Sequence, residues 1–426
     1  MAVTIFGLSK LPTQFKSLQK MLPFFGASAV IFVMMILGKA ASFLWRMLLL
    51  RENVAFLGEI ELFSTTLGLA VTFSTLAFPA ALIRFSLRNK AKSLSYLVYS
   101  FKQVFQAFLV VGGALWIFSK FGTFLTPNTQ LPLSIFLVIV LLSIGHRLAL
   151  AYANSQKKFT LYGLGEYVFA PGLKLILLLG ILLGVFQQTF LFPHVLWSLA
   201  IAALITLTLA FRRKIGQSAP SLSINDQKTF RSYSFFLSGS FLAFMVYSAL
   251  DIYLLQYFFE STTVGIYVGM LTLINLMDLL FLPFLHTFPA HLAEKKQLAA
   301  RIVFTTSTAG LLVKIGLLLG LCLAIFGVFF FPVLSGDVLR IPFLVLLAFT
   351  IYKTAHYGLV HVYRHYLDFQ GEQVFTARTM FASLAVKALF CFLFVPSMGI
   401  AGLAAANIIT DLLHSWLLLR RIRSSA

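Results

Sequence analysis

The chain has 426 residues, 60% of them hydrophobic and only 11% charged, with a mean hydropathy of +0.93. Soluble domains carry roughly a quarter charged residues, so this composition excludes a soluble globular protein and points to a polytopic membrane protein. The net charge is +20, from 33 Lys+Arg against 13 Asp+Glu; the excess falls on the connections between apolar runs, so no nucleic-acid partner is expected.

The first 23 residues are basic, and no small-residue cleavage motif closes a short apolar core, so 1–23 reads as a retained cytosolic tail. Phe6, Leu8, Leu11, Phe15 and Leu18 suit either an interfacial helix or a frayed tail. A helix needs roughly 20 apolar residues to cross the hydrocarbon core. By that ruler the chain holds twelve spans, near 24–50, 57–83, 98–119, 132–153, 162–185, 192–211, 233–258, 266–288, 303–329, 342–364, 375–395 and 400–419. The expected fold class is all-α, with twelve transmembrane helices in two six-helix lobes around a central cavity. The lobes are 24–211 and 233–419, joined by a polar linker at 212–232 and followed by a basic cytosolic tail at 420–426. The stretch 39–88 organises the first lobe: a span carrying Lys39 and Arg46, an acidic connection over 51–61, a second span with Pro79 near its end, and a basic run from Arg84 to Lys92.

Charge placement supports the count. With the N-terminus inside, alternate connections hold the basic residues: Arg84 to Lys92, Lys157 and Lys158, Arg212 to Arg231, Lys295 to Arg301, and Arg364 with Arg378. The C-terminal Arg420, Arg421 and Arg423 fall on the same side. The opposite connections carry Arg51, Lys120 and Arg340 beside Glu52, Glu59, Glu61, Glu260 and Asp337. This is a positive-inside pattern, with both termini cytosolic. A weak internal repeat agrees with it. Aligning Lys158 with Glu372 places Arg147 on His361, Tyr152 on Tyr366 and Lys174 one residue from Lys387. Because six is even, the halves run in the same direction and are parallel repeats.

Inside the spans lie Lys39, Arg46, Arg147, Lys174, Lys314, Lys353 and Lys387, against the acids Glu166, Asp251, Asp278 and Asp411. Arg46 and Arg147 lie near span ends, where they can snorkel; the five lysines lie near mid-span. A charge there costs at least ~2.5–3.5 kcal/mol, which favours a protein interior or a water-filled cavity. Seven cations against four acids leave a surplus of three even if every acid neutralises a lysine. That surplus calls for an anionic ligand or for lysines held neutral, and a diphosphate suits the first option. Polar residues recur at helical spacing: Lys353, His356, Tyr357, His361 and Arg364; Asn407, Asp411 and His414; and Ser240, Tyr247 and Asp251. These stripes should face the bundle interior. Asp251, Asp278, His356, His361 and Asp411 are candidates for ion or proton coupling, with plain ion pairing or helix-to-helix hydrogen bonding as the alternative. There is no Walker A, HExxH, CxxC or GxSxG motif and no clustered metal-ligand pattern. No cofactor or metal and no enzymatic activity are expected. Cys322 and Cys391 lie in apolar runs and do not make a disulfide framework.

The segment LLLRENVAFLGEIELFSTTLGLAVTFSTLAFPAALIRFSLR within 39–88 resembles the first helix pair of polysaccharide flippases. These belong to the multidrug/oligosaccharidyl-lipid/polysaccharide exporter superfamily. The run from Asp251 to Glu294, with Val264-Gly265-Ile266-Tyr267, resembles that family's seventh and eighth helices. Val395-Pro396-Ser397-Met398-Gly399-Ile400 resembles its turn between the last two helices. The Pro and Tyr usual around the first-loop glycine are absent from Leu57-Gly58-Glu59-Ile60-Glu61, which marks a divergent member. The resemblance implies an O-antigen-type flippase. Such a protein moves undecaprenyl-diphosphate-linked oligosaccharide across the bacterial inner membrane by alternating access, driven by an ion gradient. Its implied partners are the anionic lipid-linked oligosaccharide, membrane lipids and polysaccharide polymerase or assembly proteins. Alternatives from the same superfamily are a drug/cation antiporter, which needs an acidic cavity, and a lipid II flippase, which usually has two further helices. A membrane-embedded glycosyltransferase and a transport-inactive scaffold are the remaining readings.

Overall fold

A computed structural model describes residues 13–119, 132–187, 191–212, 220–279, 281–282, 284–285, 288, 292, 297–335 and 341–424. The first six crossings are α1 (Thr13–Glu52), α2 (Val54–Thr75), α3 (Ser93–Ser119), α4 (Leu133–Ser155), α5 (Phe159–Leu182) and α6 (Pro193–Phe211). They are followed by α7 (Ile224–Phe258), α8 (Ser261–Met277), α9 (Leu298–Ser335) and α10 (Phe343–Gln370). The final helix, Gln373–Ser424, is broken at Gly399 into α11 (373–398) and α12 (400–424). Among the described residues ten helices are long and apolar enough to cross a membrane. Counting the shorter α8 and the two parts of the last helix, the described residues hold twelve apolar helices. The chain is an all-α integral membrane protein.

Local chemistry explains the breaks. Gly399 has φ 57°, three residues after Pro396. A left-handed backbone costs an L-residue roughly 1–2 kcal/mol and glycine nothing comparable, so the proline–glycine turn kinks one continuous helix. The second span breaks at Leu76 and Ala77, both with positive φ, before a short helix Phe78–Arg88 with Pro79 in its first turn. The expected connection over 51–61 is shorter than the charges suggested. Asn53 caps α2 by accepting a hydrogen bond from the Phe56 amide at 3.0 Å, so Glu59 and Glu61 stand on the helix. Helix α1 begins at Thr13, inside the expected tail, and α7 begins at Ile224, inside the expected linker. There Ser223 caps α7 by accepting from the Asp226 amide. Phe6, Leu8, Leu11, Lys120, Lys295, Asp337 and Arg340 lie outside the described residues.

Helices α1–α6 pack on one another, as do α7–α12; across the divide α1 and α2 touch α7, α8 and α9. Each face of the bundle has its own closure. At the end where α2 and α8 begin, Gly58 lies against the Ser261 carbonyl and Gly265 lies against the Val54 carbonyl. A Cβ on either glycine would collide with the partner's backbone, so the two helices meet main chain to main chain. At the opposite, basic face, Phe230 of α7 is fully buried among Phe78, Phe85, Tyr96 and Tyr99, with ring centroids 5.1–6.0 Å away. Lys92 bonds Asp226 at 2.7 Å beside it. Ser234 donates to the Leu76 carbonyl, exposed by the break in the second span.

Candidate functional site

The polar residues of the bundle fall into separate clusters. The first spans the boundary between the lobes. Lys39 of α1 bonds Asp278, just beyond α8, at 2.8 Å. Lys353 of α10 reaches the other oxygen of the same carboxylate at 3.1 Å and donates to Asn275 at 2.6 Å. One buried acid therefore serves a lysine from each lobe.

Two turns further along α1, Arg46 makes a forked pair with Glu61 of α2, at 3.2 and 3.0 Å, and reaches Thr272 of α8 at 3.4 Å. Positions seven apart on a helix share a face and lie ~10 Å apart along it, so Lys39 and Arg46 form two rungs on the lobe boundary. Lys174 of α5 lies 5.0 Å over the ring of Trp45, within electrostatic reach of Arg46 and Glu61. Trp45 is held by its indole N–H, which donates to buried His194 at 3.1 Å. Arg147 of α4 and Glu166 of α5 lie within electrostatic reach of each other and are both accessible. Glu166 sits in a π turn, Leu164–Phe169.

A third cluster lies inside the second lobe. Lys387 of α11 is fully buried and bonds Asp251 at 2.6 Å and the Tyr247 carbonyl at 2.7 Å, 3.9 Å over the Tyr247 ring. Tyr267 and Asn407 donate to Asp251 at 2.9 and 3.1 Å. Asp411 of α12 accepts from the Tyr247 hydroxyl at 2.8 Å and meets His356 Nδ1 at 2.9 Å. His361 Nε2 is 3.2 Å from His356 Nε2. The Lys174–Lys387 correspondence from the repeat survives in three dimensions. Each lysine stands on the fifth helix of its lobe and lies over an aromatic ring of the first.

Lys314 does not join any of these clusters. On α9 the packed side carries Thr305, Ala309 and Leu312, while Lys314 is exposed beside Leu311, Leu317, Leu318 and Leu321 on the outer side. The expectation that it faces a cavity is corrected: both sides of α9 are apolar, so periodicity could not orient it. The surplus of positive charge also shrinks. Glu61, whose charge suggests a connection, stands on the apolar helix α2. With Lys314 outside, six basic side chains face five acids: Glu61, Glu166, Asp251, Asp278 and Asp411. The split is uneven. The first lobe contributes Lys39, Arg46, Arg147 and Lys174 against two acids, and the second Lys353 and Lys387 against three. Among the described residues no group of three or more His, Cys, Asp and Glu is arranged to hold a metal.

No protein-family model and no curated protein sequence matches this chain. Solved structures do. An outward-facing MATE multidrug-resistance transporter of the MOP superfamily superposes with a TM-score of 0.63 at 10% identity, over 94% of this chain and 95% of the other. A variant of the Vibrio cholerae MATE transporter VcmN gives 0.62 at 15% identity, over 94% and 97%. The lipid II flippase MurJ, in an inward closed conformation, gives 0.63 at 13% identity, over 94% and 87%. The chain has the MATE/MurJ-type fold. At these identities the likeness concerns the fold. Within this MATE/MurJ-type frame, the ion pairs at Asp278 and Glu61 and the glycine contact at Gly58 and Gly265 all lie on or beside the lobe boundary.

Proposed function

We propose that the chain is a non-enzymatic transporter that carries lipid-linked anionic oligosaccharide across the bacterial inner membrane by alternating access. The lobes 24–211 and 233–419 are the moving units, and both termini are cytosolic in keeping with the basic face. The observation that carries the reading is the sharing of Asp278. When the lobes part, Lys39 is released from Asp278 while Lys353 keeps that carboxylate neutralised. The face of the first lobe then presents Lys39, Arg46 and Lys174 with one close acid, Glu61. A diphosphate offers several acceptor oxygens to such a set, and charge-assisted bonds are the strong ones. The lipid tail stays in the bilayer while the headgroup passes between the lobes.

The test is headgroup translocation in proteoliposomes loaded with a fluorescent polyprenyl-diphosphate oligosaccharide. Lys39→Ala combined with Lys174→Ala is expected to slow translocation at least tenfold while the protein remains monodisperse; wild-type rates in the double variant refute the assignment. In cells, depletion of the protein is expected to leave lipid-linked oligosaccharide on the cytosolic leaflet. The near balance of bases and acids on the spanning helices favours one second reading, a drug/cation antiporter using Asp251 and Asp411. An organic cation would have to displace Lys387 from Asp251. Uptake of a cationic dye by the same vesicles, abolished by Asp251→Asn, would favour it.

A further inference from the structure

The second lobe contains a titratable relay that headgroup binding does not use. It begins at the basic face, in a groove lined by Lys228, Ser232 and Gln373. The groove leads into a cavity between α7, α10 and α11, lined by Tyr233, Ser240, Arg364, Asp368 and Thr376. At its inner end Arg364 donates to Ser240 and lies 3.5 Å from Asp368. His361 is one turn further in, with the His365 ring 6.1 Å from its own and His356 Nε2 3.2 Å from its Nε2. His356 is 8% exposed and Asp411 1%.

The backbone makes this relay possible. In an α-helix, residues five apart point in different directions, because each residue turns the chain by ~100°. The segment His356–His361 is instead a π turn, whose wider turn brings positions i and i+5 together. Such turns are rare and recur at functional sites. Two ring nitrogens 3.2 Å apart cannot both carry a proton, nor can both be bare acceptors and still bond. The pair is therefore built to hold one shared proton. The carboxylate of Asp411 lies on the far side of His356, 2.9 Å from its Nδ1.

The neighbouring cations have acids of their own. Around His356, Lys353 has Asp278, Lys387 has Asp251 and Arg364 has Asp368 as partners. Tyr247 of α7 stacks on the His356 ring and donates to Asp411, while Tyr352 packs against the ring from its own helix. His414 of α12 is within reach of Asp411, His356 and Arg364. Asp411 is thus the acid left to His356 itself.

We infer that the His356–Asp411 pair is a proton-binding site, loaded from the basic face through the cavity between α7, α10 and α11 and handed on by His365 and His361. In the unloaded pair the shared proton is on His361 Nε2 and points at His356 Nε2. An entering proton binds His361 Nδ1, the His361 Nε2–H bond breaks as His356 Nε2 takes that proton, and His356 Nδ1–H stays on Asp411, so the added charge rests on His356 beside the carboxylate. The site does not depend on which headgroup is carried.

The full chain reconstituted in liposomes and adsorbed on a solid-supported membrane tests it, with pH steps and no transport substrate. Wild type is expected to give a transient displacement current that saturates with a single protonation. Asp411→Asn and His356→Gln are expected to cut the displaced charge at least tenfold while keeping the wild-type elution profile. His356→Gln retains a hydrogen-bond donor toward Asp411, so its loss of current reports protonation. In a Cys322→Ala background, Ser240→Cys is expected to react with a water-soluble methanethiosulfonate at least tenfold faster than Cys391, which is buried. No current in wild type, a wild-type current in both variants, or a Ser240→Cys as slow as Cys391 overturns the inference. Vesicles that show the current but do not move lipid-linked oligosaccharide count against the headgroup reading alone.

Discussion

The closure between α2 and α8 makes a quantitative prediction. A Cβ added at Gly58 would lie 2.9 Å from the Gly265 nitrogen and 3.0 Å from the Ser261 carbonyl carbon, and closer still to the Ser261 oxygen. Ordinary van der Waals contact begins near 3.4 Å. The obstacle is backbone, which cannot swing aside as a side chain can, so Gly58→Ala must drive the helices apart. Overpacking of this kind costs ~1–3 kcal/mol, and 1.4 kcal/mol is tenfold in an equilibrium constant. The penalty falls on the conformation closed at this face and vanishes where the helices separate. Gly58→Ala therefore shifts the balance toward opening by about 5- to 150-fold, and Gly265→Ala, against Val54, acts in the same direction. Nitroxides at Glu52→Cys and Glu260→Cys, both exposed, report the separation by double electron–electron resonance in a Cys322→Ala background. A longer-distance population is expected to grow in each variant and more in the double. A lower unfolding temperature with an unchanged distance distribution would refute the gate, since the strain would then be held in the closed state.

The shared carboxylate predicts an asymmetry in stability. Asp278→Ala strands two cations and should cost ~3–5 kcal/mol, as breaking a buried pair does, whereas Lys39→Met leaves Asp278 with Lys353 and costs less; equal unfolding temperatures in one detergent would rule out the shared role. Lys314→Leu removes a charge from the outer side of α9, where a lysine costs ~2.5–3.5 kcal/mol at mid-span. It is expected to raise thermal stability and leave translocation at the wild-type rate, and a transport defect would return Lys314 to the machinery. Phe230→Ala empties the aromatic socket at the basic face, a loss of ~3–5 kcal/mol for a buried Phe. Ser234→Cys in that background is expected to react faster with a water-soluble thiol reagent than in the parent, and an unchanged rate would show that this face is held shut by other contacts.

Much of the architecture was legible in the one-dimensional pattern. Apolar length set the crossings, because a bilayer accepts a helix of ~20 apolar residues and little else. Pro396 and Gly399 marked the kink between the last two helices, because backbone freedom is a property of those residues themselves. Lys39 and Arg46 were placed on one face by helix geometry, and the Lys174–Lys387 correspondence came from the repeat. What pairs with what was decided by the tertiary structure. Lys39 and Lys353 meet at Asp278 from 239 and 75 positions away, and no local pattern encodes such a meeting. Glu61 looked like part of a loop because charge marks loops in apolar chains; the cap at Asn53 makes it helical and sets it opposite Arg46. His356 and His361 would diverge on an ideal helix and converge on a π turn. Lys314 faces outward because lipid and protein core are both apolar, so a membrane helix can turn either side to its neighbours without changing its periodicity. Composition decides that a helix stays in the bilayer, and contact with its neighbours decides which of its faces does the work.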